Sequence, residues 1–334
     1  MNNEKKKDYF AYAEIDKKNI NWIWYPYLAR GMVSILQGDP KTGKSFILID
    51  IMSRITNGGY KPLSDEKFDE GTVIYQNSDD PIEYSLIERF EKQGGDLNKV
   101  FCVDESERKL YFKDLSRLEN LIKEKKPLLV VIDPVQAYMG NSDINSMGQV
   151  RESLMPLKKL AEVYNCSIVL VQHLKKGNEA KAIYKGAGSI DFVGFARSML
   201  MVIKDEDNTN ERLLVHTCSN ISKEGDCLSY MINDNHLEWI KNNGEVNADN
   251  LVANDNNLFN NAKNFILGCL ASCESIGSNE LSSLCSVGNF SERTFNGARS
   301  LLKKTNLIDC YRKDNKVYWC LKSKMQSCKE GGES

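Results

Sequence analysis

Eight consecutive residues, Gly38-Asp39-Pro40-Lys41-Thr42-Gly43-Lys44-Ser45, place two glycines five positions apart and follow the second with lysine and serine. Glycines at that spacing let backbone N–H groups close around an anion. The lysine adds a point charge at the far end of a phosphate chain, and the serine hydroxyl is a hard ligand for a divalent cation. The flanks suit this chemistry: residues 32–37 form an apolar strand candidate, and 45–52 carry apolar residues spaced for a helix lying on a sheet. The segment predicts a nucleoside triphosphate site. Gly38, Asp39, Pro40, Lys41, Thr42 and Gly43 would wrap the phosphates, Lys44 would reach the β- and γ-phosphates, and Ser45 would face Mg²⁺.

Hydrolysis asks for more than a cradle. Residues 128–133, Leu-Leu-Val-Val-Ile-Asp, are an apolar strand ending in a carboxylate, which makes Asp133 the expected second ligand of Mg²⁺. The run Tyr75-Gln76-Asn77-Ser78-Asp79-Asp80-Pro81 ends another strand candidate in carboxylates. Asp79 is the candidate to polarise an attacking water, with helix capping by Asp79 or Asp80 ahead of Pro81 as the competing role. A third strand, 167–173, ends in Gln172-His173, a polar pair placed to sense the γ-phosphate. The loop after it sets Lys175, Lys176, Lys181 and Lys185 around Tyr184, a mixture suited to nucleic-acid backbone contact and base stacking.

These residues need a scaffold that brings strand ends together. Strand candidates at 33–37, 72–77, 100–104, 128–133 and 167–173 alternate with helix candidates at 45–57, 82–93, 115–125 and 146–164. That alternation predicts an α/β fold with a mainly parallel sheet covered by helices on both faces. Strand-like runs at 198–203, 212–218 and 229–232 would extend this sheet or fold beside it. An N-terminal arm of about 28 residues, rich in aromatic side chains, completes a first domain spanning 1–240. It would pack on a neighbouring copy or on its own domain.

Residues 241–257, dense in Asn and Asp, read as a linker, and 326–334 as a disordered tail. Between them, three helix candidates at 259–271, 279–285 and 292–304 precede a hairpin turning at Asp314-Asn315. Three helices and a hairpin predict a small winged helix-turn-helix over 258–325. From Ser291 to Lys324 there are nine Lys or Arg and three Asp or Glu. Arg293 and Arg299 on the third helix are the candidates to touch DNA.

Composition narrows the setting. A net charge of −2 excludes a chain that binds nucleic acid by bulk charge alone. No apolar run approaches the roughly 20 residues of a membrane span, and the charged first residues lead into no secretory signal, so a cytoplasmic protein is expected. None of the ten cysteines forms a C-x-x-C pair. Reduced structural thiols are therefore expected, and zinc is not implied.

Residues 22–31 (Trp-Ile-Trp-Tyr-Pro-Tyr-Leu-Ala-Arg-Gly) leading to the phosphate loop, Val130-Val131-Ile132-Asp133-Pro134-Val135-Gln136-Ala137, Val171-Gln172-His173-Leu174-Lys175-Lys176 and 188–198 (Gly-Ser-Ile-Asp-Phe-Val-Gly-Phe-Ala-Arg-Ser) together resemble the RecA-like ATPases of the RepA hexameric-helicase group, catalogued among AAA-type families of plasmids, phages and mobile elements. The resemblance covers about 20–240. It implies a RecA-like P-loop domain, ATP and Mg²⁺ as cofactors, a homo-oligomeric ring, and an arginine supplied by the neighbouring subunit, whose motif position is Arg197. That family usually carries glutamate where Asp79 aligns, a side chain one methylene longer. The implied function is a Mg²⁺-dependent ATPase moving on single-stranded DNA, a helicase of a mobile element, with duplex DNA contacted through the C-terminal unit. A nucleotide-switched DNA-binding initiator, loader or regulator is the alternative, and an ATPase acting on protein partners is a third.

Overall fold

The computed structural model describes residues 10–140, 146–174, 191–204, 210–244 and 248–325. In chain order, β1 (Trp22–Trp24) and β2 (Leu28–Ala29) pair ahead of β3 (Val33–Gly38), followed by α1 (Lys44–Asn57), β4 (Val73–Asn77), α2 (Ile87–Lys92), β5 (Val100–Phe101) and α3 (Ser116–Lys125). Next come β6 (Leu129–Asp133), α4 (Met147–Tyr164), β7 (Ser167–His173) and the short α5 (Asp191–Phe195). Four strands close this part: β8 (Ser198–Lys204), β9 (Glu211–Ser219), β10 (Leu228–Asn233) and β11 (His236–Asn242).

Nine of these strands form one sheet in the order β11-β10-β9-β8-β3-β7-β6-β4-β5. From β8 to β5 the pairing is parallel, and β9, β10 and β11 extend it in antiparallel fashion. The parallel strands β3, β6 and β7 are rich in Val, Ile and Leu and buried along nearly their whole length, because both faces are covered. On one face, Ile47, Ile51 and Ile55 of α1 pack with Phe90 of α2 and with Trp24 and Tyr27 of the arm. On the other, Leu118 and Ile122 of α3 meet Val150, Leu154 and Leu157 of α4 and Phe192 and Phe195 of α5. The result is the expected α/β fold, in which one strand, β7, separates the phosphate-loop strand from the strand bearing Asp133.

The aromatic arm packs on its own domain from Trp22 onward. Trp24 lies 4.3 Å from Tyr27 and 6.1 Å from Trp239, ring centre to ring centre, and the Tyr27 hydroxyl donates to the Asp226 carbonyl at 2.8 Å. Phe10 and Tyr12 stay exposed. Asp50, fully buried on α1, ties three elements together: it accepts from Arg54, from Gln93 Nε2 at 2.7 Å and from Trp239 Nε1 at 2.7 Å.

Three stretches differ from their sequence expectation. The strand at 100–104 shortens to Val100–Phe101. The helix at 82–93 opens with a wide π-helical turn, Ile82–Leu86, before α2. The supposed linker 241–257 is largely ordered structure: β11 runs to Asn242, and α6 (Ala248–Ala271) begins inside it. In sequence, Leu251 and Leu258, and Val252 and Phe259, are seven apart, two helical turns, a periodicity that outweighs the weak helix propensity of Asn and Asp.

Beyond α6 lie β12 (Ile276–Gly277), α7 (Ser278–Val287), α8 (Glu292–Lys304), β13 (Ile308–Lys313) and β14 (Lys316–Leu321). The three strands pair in the order β12-β14-β13. This unit buries its own core, with Ala262, Ile266, Leu281, Phe295, Leu302 and Ile308 at its centre. Ser291 caps α8, accepting from the Thr294 N–H at 3.1 Å. The hairpin turns through Asp314 and Asn315, both at positive φ.

His216 on β9 is a buried link between arm and sheet. The Gly225 N–H donates to its Nδ1 at 2.7 Å, which puts the proton on Nε2, 3.0 Å from the Ser198 hydroxyl; that hydroxyl donates onward to the Tyr27 carbonyl at 2.8 Å. Burial pushes the imidazole from its ordinary 6.5 down to about 4. The unfolded chain therefore takes up a proton below pH 6.5 that the native protein refuses until about pH 4. The stability contributed is complete above pH 6.5 and lost as pH falls through that window, to a total of about 3 kcal/mol. Urea midpoints should fall between pH 6.5 and 5 in the parent and follow a flatter profile in His216→Gln; parallel profiles would contradict the buried neutral imidazole.

Candidate functional site

The phosphate loop runs from the end of β3 into α1. A Cβ on Gly38 would come within 2.9 Å of the Val202 carbonyl oxygen and 3.0 Å of the Thr42 hydroxyl. Gly43, at φ +96°, is the N-cap of α1, and no side chain caps the helix there. Both glycines are thus required by the geometry, and the first turn of α1 opens toward an anion.

Lys44, buried at 6% exposure, folds back over the loop. Its ammonium donates to the carbonyls of Gly38 at 2.9 Å and Asp39 at 2.8 Å, and lies 3.4 Å from His173 Nδ1. Burial lowers its pKa, opposed by the charges of Asp133 and Asp39. The Ser45 hydroxyl donates to Asp133 Oδ2 at 3.0 Å. Tyr75, buried on β4, donates its hydroxyl to the same oxygen at 2.9 Å, and Asn77 Nδ2 reaches the Tyr75 oxygen at 2.9 Å. Burial raises the Asp133 pKa, while the hydrogen bonds from Tyr75 and Ser45 and the charge of Lys44 oppose that rise.

Asp79 follows β4. Asn77 Oδ1 accepts the N–H groups of Asp79 and Asp80 at 2.9 and 2.8 Å, which fixes the turn. Asp80 is held by Arg89 at 2.9 Å. Asp79 is exposed, and its charge reaches both Asp133 and His173. His173 is pushed below its ordinary 6.5 by burial first and then by Lys44, so it stays neutral at pH 7.

Four parallel elements therefore deliver Lys44, Ser45, Asp133, Asp79 and His173 to one edge of the sheet, the edge at the strands' carboxyl ends where ligands of open α/β sheets sit. Hard oxygen donors from Ser45 and Asp133 stand side by side, which fits Mg²⁺. The loop backbone with Lys44 fits a polyphosphate. Tyr75, Asn77 and Arg212, which borders Gly43, belong to this neighbourhood and were missed in sequence. A tyrosine and an asparagine at the end of β4 carried the only signal for the first two.

Arg197 stands elsewhere. Its N–H donates to the Val33 carbonyl at 2.9 Å, at the start of β3, so it occupies the opposite edge of the sheet, roughly 16 Å along the strand from its own phosphate loop. Lys175, Lys176, Lys181 and Lys185 lie outside the described residues, as does the side chain of Arg293. Arg299 is engaged within its own unit: it stacks over Trp319 at 5.1 Å and donates to the Ser282 hydroxyl at 3.1 Å. The exposed cations of that unit include Arg312, Lys313 and Lys316 around the hairpin turn.

A family described as an AAA domain, AAA_25, matches residues 10–179, about half of the chain. The chain belongs to this family. It is similar to the DNA repair protein RadA of Streptococcus pyogenes, 25% identical over 168 residues, of Listeria monocytogenes, 28% over 170, and of Bacillus subtilis, 24% over 153. These alignments take in 49%, 49% and 45% of this AAA_25 chain and 32%, 32% and 29% of the relatives, so the chain matches about a third of their length. A KaiC-like protein, PH0186, from Pyrococcus horikoshii superposes with a TM-score of 0.49 at 14% identity, over 64% of this chain and 91% of the other. Among the described residues no helix is long and apolar enough to cross a membrane.

The contact between Lys44 and His173 is open to test, because the chain has three histidines. In a proton-NMR titration, His173 should titrate below 6.5 in the parent and move upward in Lys44→Met, since a cation that disfavours the imidazolium has gone. An unmoved midpoint would show that Lys44 does not face the ring.

Proposed function

We propose that this AAA_25 protein is a Mg²⁺-dependent ATPase acting on DNA as a ring of identical subunits. The observation that carries the reading is the Ser45–Asp133 pair set beside Lys44 at the mouth of a phosphate loop. Bound Mg²⁺ would be held by Ser45 and Asp133 and would supply charge neutralisation across the phosphates. Lys44 leaves its loop carbonyls for the phosphates, Asp79 orients and polarises the attacking water, and neutral His173 passes the state of the γ-phosphate to the loop after β7.

Arg197 acts in trans, since its own site lies at the opposite sheet edge. DNA as the substrate is supported by the similarity to proteins named for DNA repair and by the basic loop after His173. Residues 258–325 are read as a winged helix whose hairpin cations, Arg312, Lys313 and Lys316, meet duplex DNA. A hexameric ring and helicase activity, in the manner of the RepA group, are the finer form of this reading.

Steady-state ATPase rates, with and without single-stranded DNA and across protein concentration, test it. DNA stimulation with a steep concentration dependence is the expected result. Asp79→Asn should lower kcat by at least about a hundredfold while ATP still binds, and Arg197→Ala by about a thousandfold. Mixing those two variants should restore activity, because a mixed interface contains one intact Asp79 facing one intact Arg197. Turnover that ignores DNA and concentration would favour a nucleotide-switched DNA-binding protein, and full activity in Lys44→Ala would refute the site.

A further inference from the structure

His173, Asp133 and Asp79 all lie on one side of the phosphate loop. β7, β6 and β4 bring His173, Asp133 and Asp79 to that side, and β8, β9 and β10 line the other. Arg212, near the start of β9, is on the second side. Its Cδ and Nε lie 3.3 and 3.4 Å from the position a Cβ would take on Gly43. The neighbouring strand β10 also reaches the loop, with Ile232 at Gly43 and the Tyr230 hydroxyl donating to the Thr42 carbonyl at 3.4 Å. Arg212 Nη1 donates to the Asn210 carbonyl at 3.1 Å. Its Nε is buried and has no acceptor, and no carboxylate pairs with the guanidinium among the described residues. A buried charged donor without an acceptor is costly, and such groups are normally satisfied.

We propose that Arg212 binds the α-phosphate of the nucleotide. This rests on the ATP-site reading above. In-line transfer sets the attacking water and the leaving oxygen on opposite sides of the γ-phosphorus. With Asp79 placing the water on the β4 side, the β- and α-phosphates run across the loop toward β8 and β9. There the loop presents Gly43 and, against it, an unsatisfied Nε–H on a cation. An oxyanion is the acceptor that donor lacks, and a guanidinium takes phosphate oxygens through parallel N–H groups. The α-phosphate is present in ATP and ADP alike, so Arg212 would hold the nucleotide through the cycle and leave the chemical step to the other side.

The test is equilibrium binding of ATP and of ADP by calorimetry to the full chain, with Arg212→Met, which keeps the stem against Gly43, and Arg212→Lys, which keeps charge without the fork. Arg212→Met should weaken ATP and ADP by the same factor, about tenfold or more. Arg212→Lys should recover part of the loss for both, and it decides the matter should the methionine variant not fold. Parental affinity in either folded variant would overturn the assignment, as would a loss for ATP alone, which would put Arg212 at the γ-phosphate. A parent that binds neither nucleotide would overturn the ATP reading and this inference with it.

Discussion

The structure depends on keeping two opposite charges, Lys44 and Asp133, nearly out of water at the same sheet edge. They are 6% and 5% exposed. Burial disfavours both charged forms, lowering the lysine and raising the aspartate, and each is opposed by the field of the other. Such a pair persists only where further hydrogen bonds satisfy its remaining donors and lone pairs. Two loop carbonyls serve the ammonium, and Ser45 and Tyr75 serve the carboxylate. Alignment of β3, β7, β6 and β4 is therefore an electrostatic requirement as well as a packing one. A shift of one strand by one residue would turn its side chains to the other face and leave one of these charges without its partners.

The same requirement separates what the sequence could reveal from what it could not. The phosphate loop is local: eight adjacent residues define it, and their spacing is the geometry. Asp133 and His173 were legible because each ends an apolar run, and ends of parallel strands converge on one edge whatever the strand order. Tyr75 and Asn77 gave no comparable signal. Their roles depend on the register that sets Asn77 opposite Asp133, which is a property of the assembled sheet. Arg212 lies further still from local logic, since it reaches Gly43 only after β9 turns back along β8 and β8 pairs with β3. The helix α6 was obscured for a different reason, an Asn-rich composition masking a helical repeat.

Sheet polarity also sorts the arginines. Arg197 and Arg212 are fifteen positions apart and flank β8, yet the antiparallel return of β9 carries the second to the phosphate loop, while the first remains at the start of β3. The first lies away from its own phosphate loop and is partly exposed; the second touches its own loop. A motif position identifies a residue type, but the strand's direction decides which edge that residue serves.

That sorting divides the proposed nucleotide site along the chain. The segment matched by the AAA_25 family, 10–179, contains the loop, Asp79, Asp133 and His173, the groups that β4, β6 and β7 bring to one side of the loop. The side toward β8, β9 and β10 is built by residues after that segment, where Arg212, Tyr230 and Ile232 prop the loop from beyond Gly43. A triphosphate spans both sides. In the proposed function, positioning for hydrolysis and retention of the nucleotide would be supplied by different stretches of sequence joined through β3. On that proposal, substitutions in β9 and β10 would change how tightly the nucleotide is held and leave the water and Mg²⁺ positions in place, because the strands assigned those positions lie across the loop and do not pair with β9 or β10.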